Sequence, residues 1–278
     1  MVRAPTVNLN SIVQVKRPAS ADEIRNWRDG DAWLAGGTWL FSEPQIHTDT
    51  LIDLGRFGWE RIRSGADGIE LAATCTIAEL YAFVPPDDWK AGPLIGQCCR
   101  SFLSSFKIWN EATVGGNIVM SLPAGPMISL AVALEGTYTL WPRSGPAREV
   151  RAIDFVTGNH ANVLAPGELV RSIRFPAAAL RKSFAFRRGE LTHLGRSSVL
   201  LIGTRPRPDV GLMLTVTAAT VKPVQLAFDG VPTQDELRSA IDASIPDALY
   251  LDDVHGSPAH RRHLTYHYAE QIRRELGT

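Results

Sequence analysis

Short apolar runs separated by polar turns fill the first part of the chain and predict a small α/β unit. Residues 12–16 predict a strand, and residues 20–28 predict a helix that follows Pro18, with Ser20 and Glu23 at the spacing of a capping box. Two further short strands are predicted at residues 32–35 and 51–54. The first of these, at residues 32–35, runs straight into paired glycines.

From residue 69 the pattern changes to a mixture of strands and amphipathic helices, which predicts a second and larger unit. Thr76 with Glu79 marks a capped helix start, and residues 94–106 place apolar side chains at helical spacing. The remaining predicted elements are a strand at 69–73, a helix at 127–134, and strands at 137–141 and 170–175. Pro176 closes the last strand, so a boundary is expected at 176–179.

The rest of the chain predicts a third unit that ends in a long helix. Strands are predicted at residues 199–202 and 212–221, and a helix at 233–243. Ser257 as N-cap and Pro258 in the first turn begin a helix that runs to Leu276. The expected division is therefore residues 1–55, 56–176 and 177–278.

Charge and hydropathy narrow the classes of function. Lys+Arg and Asp+Glu both number 29, so the chain has no net charge with which to neutralise a nucleic-acid backbone. Polar residues interrupt the apolar residues of the segment 1–16, which argues against a signal peptide, and no apolar run is long enough to span a bilayer. We expect a cytoplasmic protein.

The cysteine and histidine positions favour structural roles. The chain has three cysteines, Cys75, Cys98 and Cys99. Their spacing suits neither a disulfide framework nor an iron–sulfur cluster, so we expect buried free thiols. Three histidines share one face of the terminal helix, His260, His263 and His267, but no carboxylate or cysteine at ligand spacing completes a metal site. No metal is therefore expected.

Two glycine pairs are the informative motifs, Ala35-Gly36-Gly37-Thr38 and Thr113-Val114-Gly115-Gly116-Asn117. Both are interpreted as turns that follow apolar strands. Paired glycines let successive backbone N–H groups point into one concavity, where a pyrophosphate can approach without meeting a Cβ atom. Each pair alone is more often an ordinary turn, and neither fits the G-x-G-x-x-G fingerprint of a dinucleotide fold.

Together with their surroundings, the glycine pairs resemble the FAD-binding module of the xanthine dehydrogenase and carbon monoxide dehydrogenase family. The matching segments are residues 34–38, 112–118, 152–155 and 164–176, in the same order and at the same separations. Residues 256–262, Gly-Ser-Pro-Ala-His-Arg-Arg, resemble the family's C-terminal motif. The resemblance therefore covers nearly the whole chain.

The resemblance implies an α+β fold with a bound cofactor. It consists of a vanillyl-alcohol-oxidase-type (PCMH) module of two α/β subdomains, with noncovalent FAD extended between them, and a small C-terminal α+β domain. Leu169 would lie against the ring system, and Arg187 would replace a lysine near the pyrimidine edge. The residues that would surround the diphosphate are Leu34, Ala35, Gly36, Gly37, Thr38 and Trp39 from the first subdomain, and Thr113, Gly115, Gly116 and Asn117 from the second.

The resemblance also implies partners. In the family, a large subunit with a molybdopterin cofactor oxidises the substrate, and a small subunit with two-iron two-sulfur clusters passes electrons to FAD, which reduces an external acceptor. These assemblies are commonly dimers of heterotrimers. The chain is thus expected to be an electron-transfer subunit that is not active alone.

Two departures from the family pattern leave other functions open. Trp109 stands where the family usually has an arginine, and Pro126 replaces an acidic residue that would hydrogen-bond the cofactor. A scaffold subunit with weak or no FAD is one alternative. The other is a self-contained flavin oxidase, although the residues after Pro176 are few for a substrate domain.

Overall fold

The first part of the chain forms a three-stranded parallel sheet. The computed structural model describes residues 10–24, 26–207 and 210–277. Residues 1–9, which begin both the expected first unit and the segment considered as a signal peptide, lie outside the described residues. The strands, in the spatial order β1-β3-β2, are β1 (Gln14–Lys16), β2 (Asp31–Leu34) and β3 (Thr50–Asp53). Parallel pairing brings the carboxyl ends of these strands to one edge, from which the first glycine segment departs.

The helix predicted over residues 20–28 is wrong. A single 3-10 turn, Ala21–Glu23, forms there, and residue 25 lies outside the described residues. Tertiary contacts hold the neighbouring residues in other conformations. Trp27 packs on Trp33 with ring centroids 4.9 Å apart, and the Arg28 guanidinium pairs with Asp31 at 2.8 Å. Packing across the chain therefore overrides the local helix signal.

The second part forms a five-stranded antiparallel sheet in the spatial order β4-β5-β10-β6-β7. Its strands, with the small hairpin β8-β9 that precedes β10, are β4 (Ile62–Gly65), β5 (Gly68–Ala72), β6 (Thr137–Trp141), β7 (Arg148–Arg151), β8 (Val156–Gly158), β9 (Ala161–Asn162) and β10 (Leu169–Pro176). The helices of this part are α1 (Ile77–Ala82), α2 (Gly92–Ser101), α3 (Phe106–Glu111), α4 (Val114–Val119), α5 (Pro126–Ala133) and α6 (Ala152–Phe155).

Helix α5 lies at the centre of this part, because each of its residues is buried. The strand predicted at 137–141 and the helix predicted at 127–134 are confirmed, as is the capping box of Thr76 and Glu79. The single helix suggested at 94–106 is wrong. Helix α2 ends at Ser101 and α3 begins at Phe106, and the connection between them is held by a bond from Trp109 Nε1 to the Phe102 carbonyl at 3.0 Å.

The third part is a four-stranded antiparallel sheet with a helical layer. After the short helix α7 (Ala177–Leu180), the elements are β11 (Ser183–Glu190), β12 (Ser197–Arg205), β13 (Met213–Thr217), β14 (Val224–Ala227), α8 (Gln234–Ser244) and α9 (Pro258–Leu276). Ser257 caps α9 as predicted, accepting from the His260 N–H at 3.3 Å. The strand predicted at 212–221 ends early because Ala218 has φ +62°.

One sheet of three or more strands lies within each of the expected segments 1–55, 56–176 and 177–278. The second and third sheets share a core, since Leu200 and Ile202 of β12 join the cluster around α5, while Val199 and Leu201 face α9. Whether the segments behave as separate domains stays a prediction. None of the helices in the described ranges is both long and apolar enough to cross a membrane.

Candidate functional site

A cleft of about 680 Å³ lies where the three parts of the chain meet. Its walls come from the segment after β2, the connection between α2 and α3, the start of α4, the start of α5, and the connection between β11 and β12. The two glycine segments, far apart in the sequence, therefore face one cavity. Among the expected cofactor residues, those that line it are Leu34, Ala35, Gly36, Gly37, Thr38, Trp39, Thr113, Gly116 and Asn117.

The first glycine segment offers the cleft a row of backbone donors. The amides of Gly36, Gly37, Thr38 and Trp39 are consecutive, and none of them donates to another residue in the described ranges. Gly37 has φ +69°, a conformation that suits glycine and bends the row. Consecutive free N–H groups form a concave surface with partial positive charge. This segment is therefore suited to an anionic group.

Gly36 is also a point of close approach between the first and second parts. A Cβ atom placed on Gly36 would lie 1.7 Å from the backbone oxygen of Glu111, at the end of α3. Only the absence of a side chain allows this approach. Because Glu111 lies two residues before Thr113, the contact brings the second glycine segment against the first.

The second glycine segment begins helix α4 and is not the predicted turn after a strand. Thr113 is the N-cap and accepts from the Gly116 N–H at 3.0 Å. The N–H groups of Val114 and Gly115 donate to the carbonyls of Cys75 and Ala73, at 2.8 and 2.9 Å. The prediction that this segment presents free N–H groups is therefore wrong. The Thr113 hydroxyl, which accepts in the cap, keeps its own proton for a ligand.

Gly115 and Gly116 have different surroundings. Gly115 is buried, and a Cβ atom there would lie 2.5 Å from the Cβ of Ala73. It permits α4 to pack on the chain beyond β5 and does not line the cleft. Gly116 is half-buried at the cleft, where a Cβ atom would meet only the Thr113 hydroxyl, at 2.9 Å.

Asn117 joins the cleft to the start of α5. Its Oδ1 atom accepts from the Met127 N–H at 3.1 Å, which caps a helix that has no cap from its own N-cap residue. The Nδ2 group of Asn117 makes no bond among the described residues and can donate to a ligand. Pro126, at the first position of α5, is buried at the cleft and contributes no N–H.

The structure does not bring Leu169 or Arg187 to this cleft. Leu169 lies in a neighbouring cavity of about 200 Å³, which shares Trp33 with the cleft. Arg187 donates to Gln271 Oε1 at 2.7 Å and pairs with Glu275, both on α9. Successive side chains of a strand point to opposite faces, so the face of β11 that carries Arg187 is turned away from the cleft.

Sequence reasoning missed the residues that the third part and the α2–α3 connection contribute. These are Ser101 at the end of α2, Phe102, Leu103 and Ser104 from the connection, Leu194 and Arg196 from the turn after β11, and Ser197 at the start of β12. No periodic pattern marks either connection. Trp39 lines the cleft, whereas Trp109, which stands where the family usually has an arginine, does not; the Trp109 ring packs edge-on against Tyr81.

Charge is sparse at the cleft. Among the described residues that line it, Arg196 is the one charged residue, and no carboxylate is present. The cysteines are buried and free, as expected, and burial raises the pKa of Cys75 and Cys99 to about 12. These thiols are neutral at physiological pH and take no part in the site.

The residues at the cleft fit FAD. The free amides of Gly36–Trp39 and the hydroxyls of Thr38 and Thr113 suit a diphosphate, while Ile108, Val119 and Leu122 give apolar walls for ring systems. A side chain at Gly116 would enter the same space. In the described ranges, no three His, Cys, Asp or Glu residues are grouped to hold a metal ion.

Known proteins show the same fold and a related sequence. The glyceraldehyde dehydrogenase medium chain of Sulfolobus acidocaldarius is 24% identical over 249 residues, which are 88% of this chain and 83% of that protein. A carbon monoxide dehydrogenase structure from Hydrogenophaga pseudoflava, lacking the Mo-pyranopterin moiety of the molybdenum cofactor, superposes with a TM-score of 0.79 at 19% identity, over 94% of this chain and 96% of that one.

A structure of quinoline 2-oxidoreductase from Pseudomonas putida 86 superposes with a TM-score of 0.77 at 17% identity, covering 95% of this chain and 98% of that one. Residues 11–178, more than half of the chain, match the model of the FAD binding domain in molybdopterin dehydrogenase. This match includes both glycine segments and confirms the resemblance drawn from them. The chain therefore belongs to the family of FAD-binding domains of molybdopterin dehydrogenases.

Proposed function

We propose that this chain is the FAD-carrying electron-transfer subunit of a molybdenum hydroxylase complex. Bound FAD accepts electrons singly and delivers them in pairs, which suits transfer from iron–sulfur clusters on a small partner subunit to an external acceptor. The substrate is oxidised on a large partner subunit with a molybdopterin cofactor. The likeness in sequence to the glyceraldehyde dehydrogenase medium chain and the match to the FAD binding domain in molybdopterin dehydrogenase support this role.

One observation carries the assignment of the cofactor site: a single cleft joins four free consecutive amides with hydroxyl donors and apolar walls. The amides of Gly36–Trp39 bind the diphosphate from the first part of the chain. The Thr113 hydroxyl and the Asn117 Nδ2 group donate from the second part. Leu34 and Ala35 continue the lining beside the amide row, and Gly116 leaves the room that the cofactor needs.

Three of the expected cofactor residues have other roles in this proposal. Gly115 acts through the packing of α4 on Ala73. Leu169 and Arg187 lie away from the cleft, so the proposal includes no contact of these two residues with the flavin ring.

The finer architecture is also part of the proposal. The first two sheets correspond to the two subdomains of a vanillyl-alcohol-oxidase-type (PCMH) module, with FAD extended in the cleft between them, and the third sheet with α8 and α9 is the C-terminal domain. The complete assembly is a dimer of heterotrimers in the cytoplasm.

Reconstitution with FAD tests the cofactor assignment. We expect the purified full chain to bind one FAD per chain and to show a flavin absorption spectrum. A colourless chain that cannot be reconstituted would support the scaffold alternative, for which Pro126 gives a structural reason. Copurification of the native complex would identify the two partner subunits.

Activity of the separately expressed chain tests the electron-transfer role. Supplied with FAD and an artificial acceptor, it should not oxidise aldehydes, purines or carbon monoxide, because the described residues contain no recognisable molybdenum or iron–sulfur site. Turnover of any of these at enzyme-like rates would overturn the proposal and favour a self-contained flavin oxidase.

A further inference from the structure

Arg196 is an unpaired cation at the cofactor cleft. It lines the cleft, and it forms no hydrogen bond or ion pair with any residue in the described ranges. Arginines elsewhere in the chain are commonly paired with carboxylates, as Arg148 is with Glu168. Arg196 is exposed, and none of the described residues lining the cleft is acidic, so none of those lining residues neutralises its charge and it is available to an anionic ligand.

The backbone that carries Arg196 is fixed from both sides. Arg188 on β11 donates from Nη2 to the Gly195 carbonyl at 2.8 Å and from Nε to Ser197 Oγ at 2.9 Å. The Gly195 N–H donates to the Thr192 carbonyl at 2.7 Å and closes the turn between β11 and β12. Both chain neighbours of Arg196 are therefore tied to a single largely buried guanidinium.

We propose that Arg196 is the cationic ligand of the FAD diphosphate and that Arg188 is its positioning residue. This inference rests on the proposed binding of FAD in the cleft. The ring system of oxidised FAD is neutral, so its negative charge lies on the diphosphate. Free amides supply only partial positive charge, and a guanidinium adds a full charge with paired N–H donors that match phosphate oxygens.

Binding of three probes to the flavin-free full chain separates the diphosphate from the ring. FAD and ADP carry the diphosphate, whereas riboflavin carries the ring alone. We expect Arg196→Gln to weaken the binding of both FAD and ADP about tenfold at low ionic strength, because one charge-assisted hydrogen bond is lost. The affinity for riboflavin should stay unchanged. Arg196→Lys should recover part of the loss, and added salt should narrow the difference.

The control variant is Arg174→Gln, an exposed arginine of β10 that does not line the cleft. It should bind all three probes like the unmodified chain. Equal ADP affinity in Arg196→Gln and the unmodified chain would overturn the assignment, as would a loss for riboflavin equal to that for ADP. If the unmodified chain itself binds neither FAD nor ADP, the proposed function fails instead.

Arg188 is tested by the combination of variants. Arg188→Gln should weaken ADP binding by no more than Arg196→Gln does, and the double variant should show little further loss, because the two residues act as one unit. Thermal unfolding of each variant checks that the fold is retained. A double variant whose loss equals the sum of the single losses would show that Arg188 does not act through Arg196.

Discussion

The substitution Gly116→Ala tests whether this glycine makes room for the cofactor, because it should change the affinity for FAD more than the free energy of unfolding. It adds one methyl group at a half-buried position of α4 that lines the cleft. Apart from its chain neighbours and the backbone of α4, the new Cβ would come within 4 Å of one described atom, the Thr113 hydroxyl oxygen at 2.9 Å. The flavin-free fold therefore has a single small contact to adjust.

Two opposing effects set the stability of this variant. Alanine favours a helix over glycine by about 1 kcal/mol. Displacing the Thr113 hydroxyl from its 3.0 Å bond with the Gly116 N–H costs about 1 kcal/mol. The free energy of unfolding of the flavin-free chain should thus change by less than about 1 kcal/mol. Overpacking against the bound cofactor costs about 1–3 kcal/mol, which raises the Kd for FAD roughly 5-fold to 150-fold.

Gly115→Ala is the matched control. Its Cβ would lie 2.5 Å from Ala73 Cβ and 2.7 Å from the Ala73 oxygen, so α4 must move, which costs about 1–3 kcal/mol of stability. Urea unfolding of the flavin-free chains and fluorescence titration with FAD measure the two effects separately. Unchanged FAD affinity in Gly116→Ala, or a stability loss as large as that of Gly115→Ala, would refute the reasoning.

Three other predictions concern the cofactor link, the thiols and an acid-sensitive ion pair. Acid precipitation should release FAD, because no described residue lining the cleft is a cysteine or histidine; colour retained in the pellet would show a covalent link. Cys75, Cys98 and Cys99 should resist a thiol reagent at pH 8 until urea unfolds the chain, since burial raises their pKa values; rapid labelling of the native chain would contradict this. The Arg148 guanidinium lowers the pKa of Glu168 below 4.5, so the stability that this pair contributes is present above about pH 4.5 and is lost as the pH falls through the lower folded value. Glu168→Gln should therefore cost about 1 kcal/mol at pH 7 and much less in acid, and an equal cost at both pH values in urea unfolding would exclude the pair as the cause.

Local signals in the sequence determined several elements. The terminal helix follows from Ser257 and Pro258, which satisfy or remove backbone donors within one turn. The strand Thr137–Trp141 follows from its alternating side chains and the proline after it. These signals depend only on residues that are neighbours in the chain, so they can be interpreted without the fold.

The glycine segments mark the limit of such signals. Sequence alone indicated that both segments face a ligand, and the structure brings both to one cleft. The sequence could not show that Gly36 makes room for the Glu111 carbonyl, or that Gly115 makes room for Ala73, because these partners are distant in the chain. A missing side chain has the same appearance in a sequence whether a ligand or a backbone occupies the space.

The charge at the cleft was decided by tertiary structure alone. Strand alternation turns Arg187 toward α9, and the tight turn held by Arg188 presents Arg196 at the cleft. The sequence could not show which of these arginines faces the cleft, because the strand β11 and its turn carry no clear periodic signal. Which face of β11 meets the cleft depends on how the third sheet packs against the second, through contacts between residues that no local pattern relates.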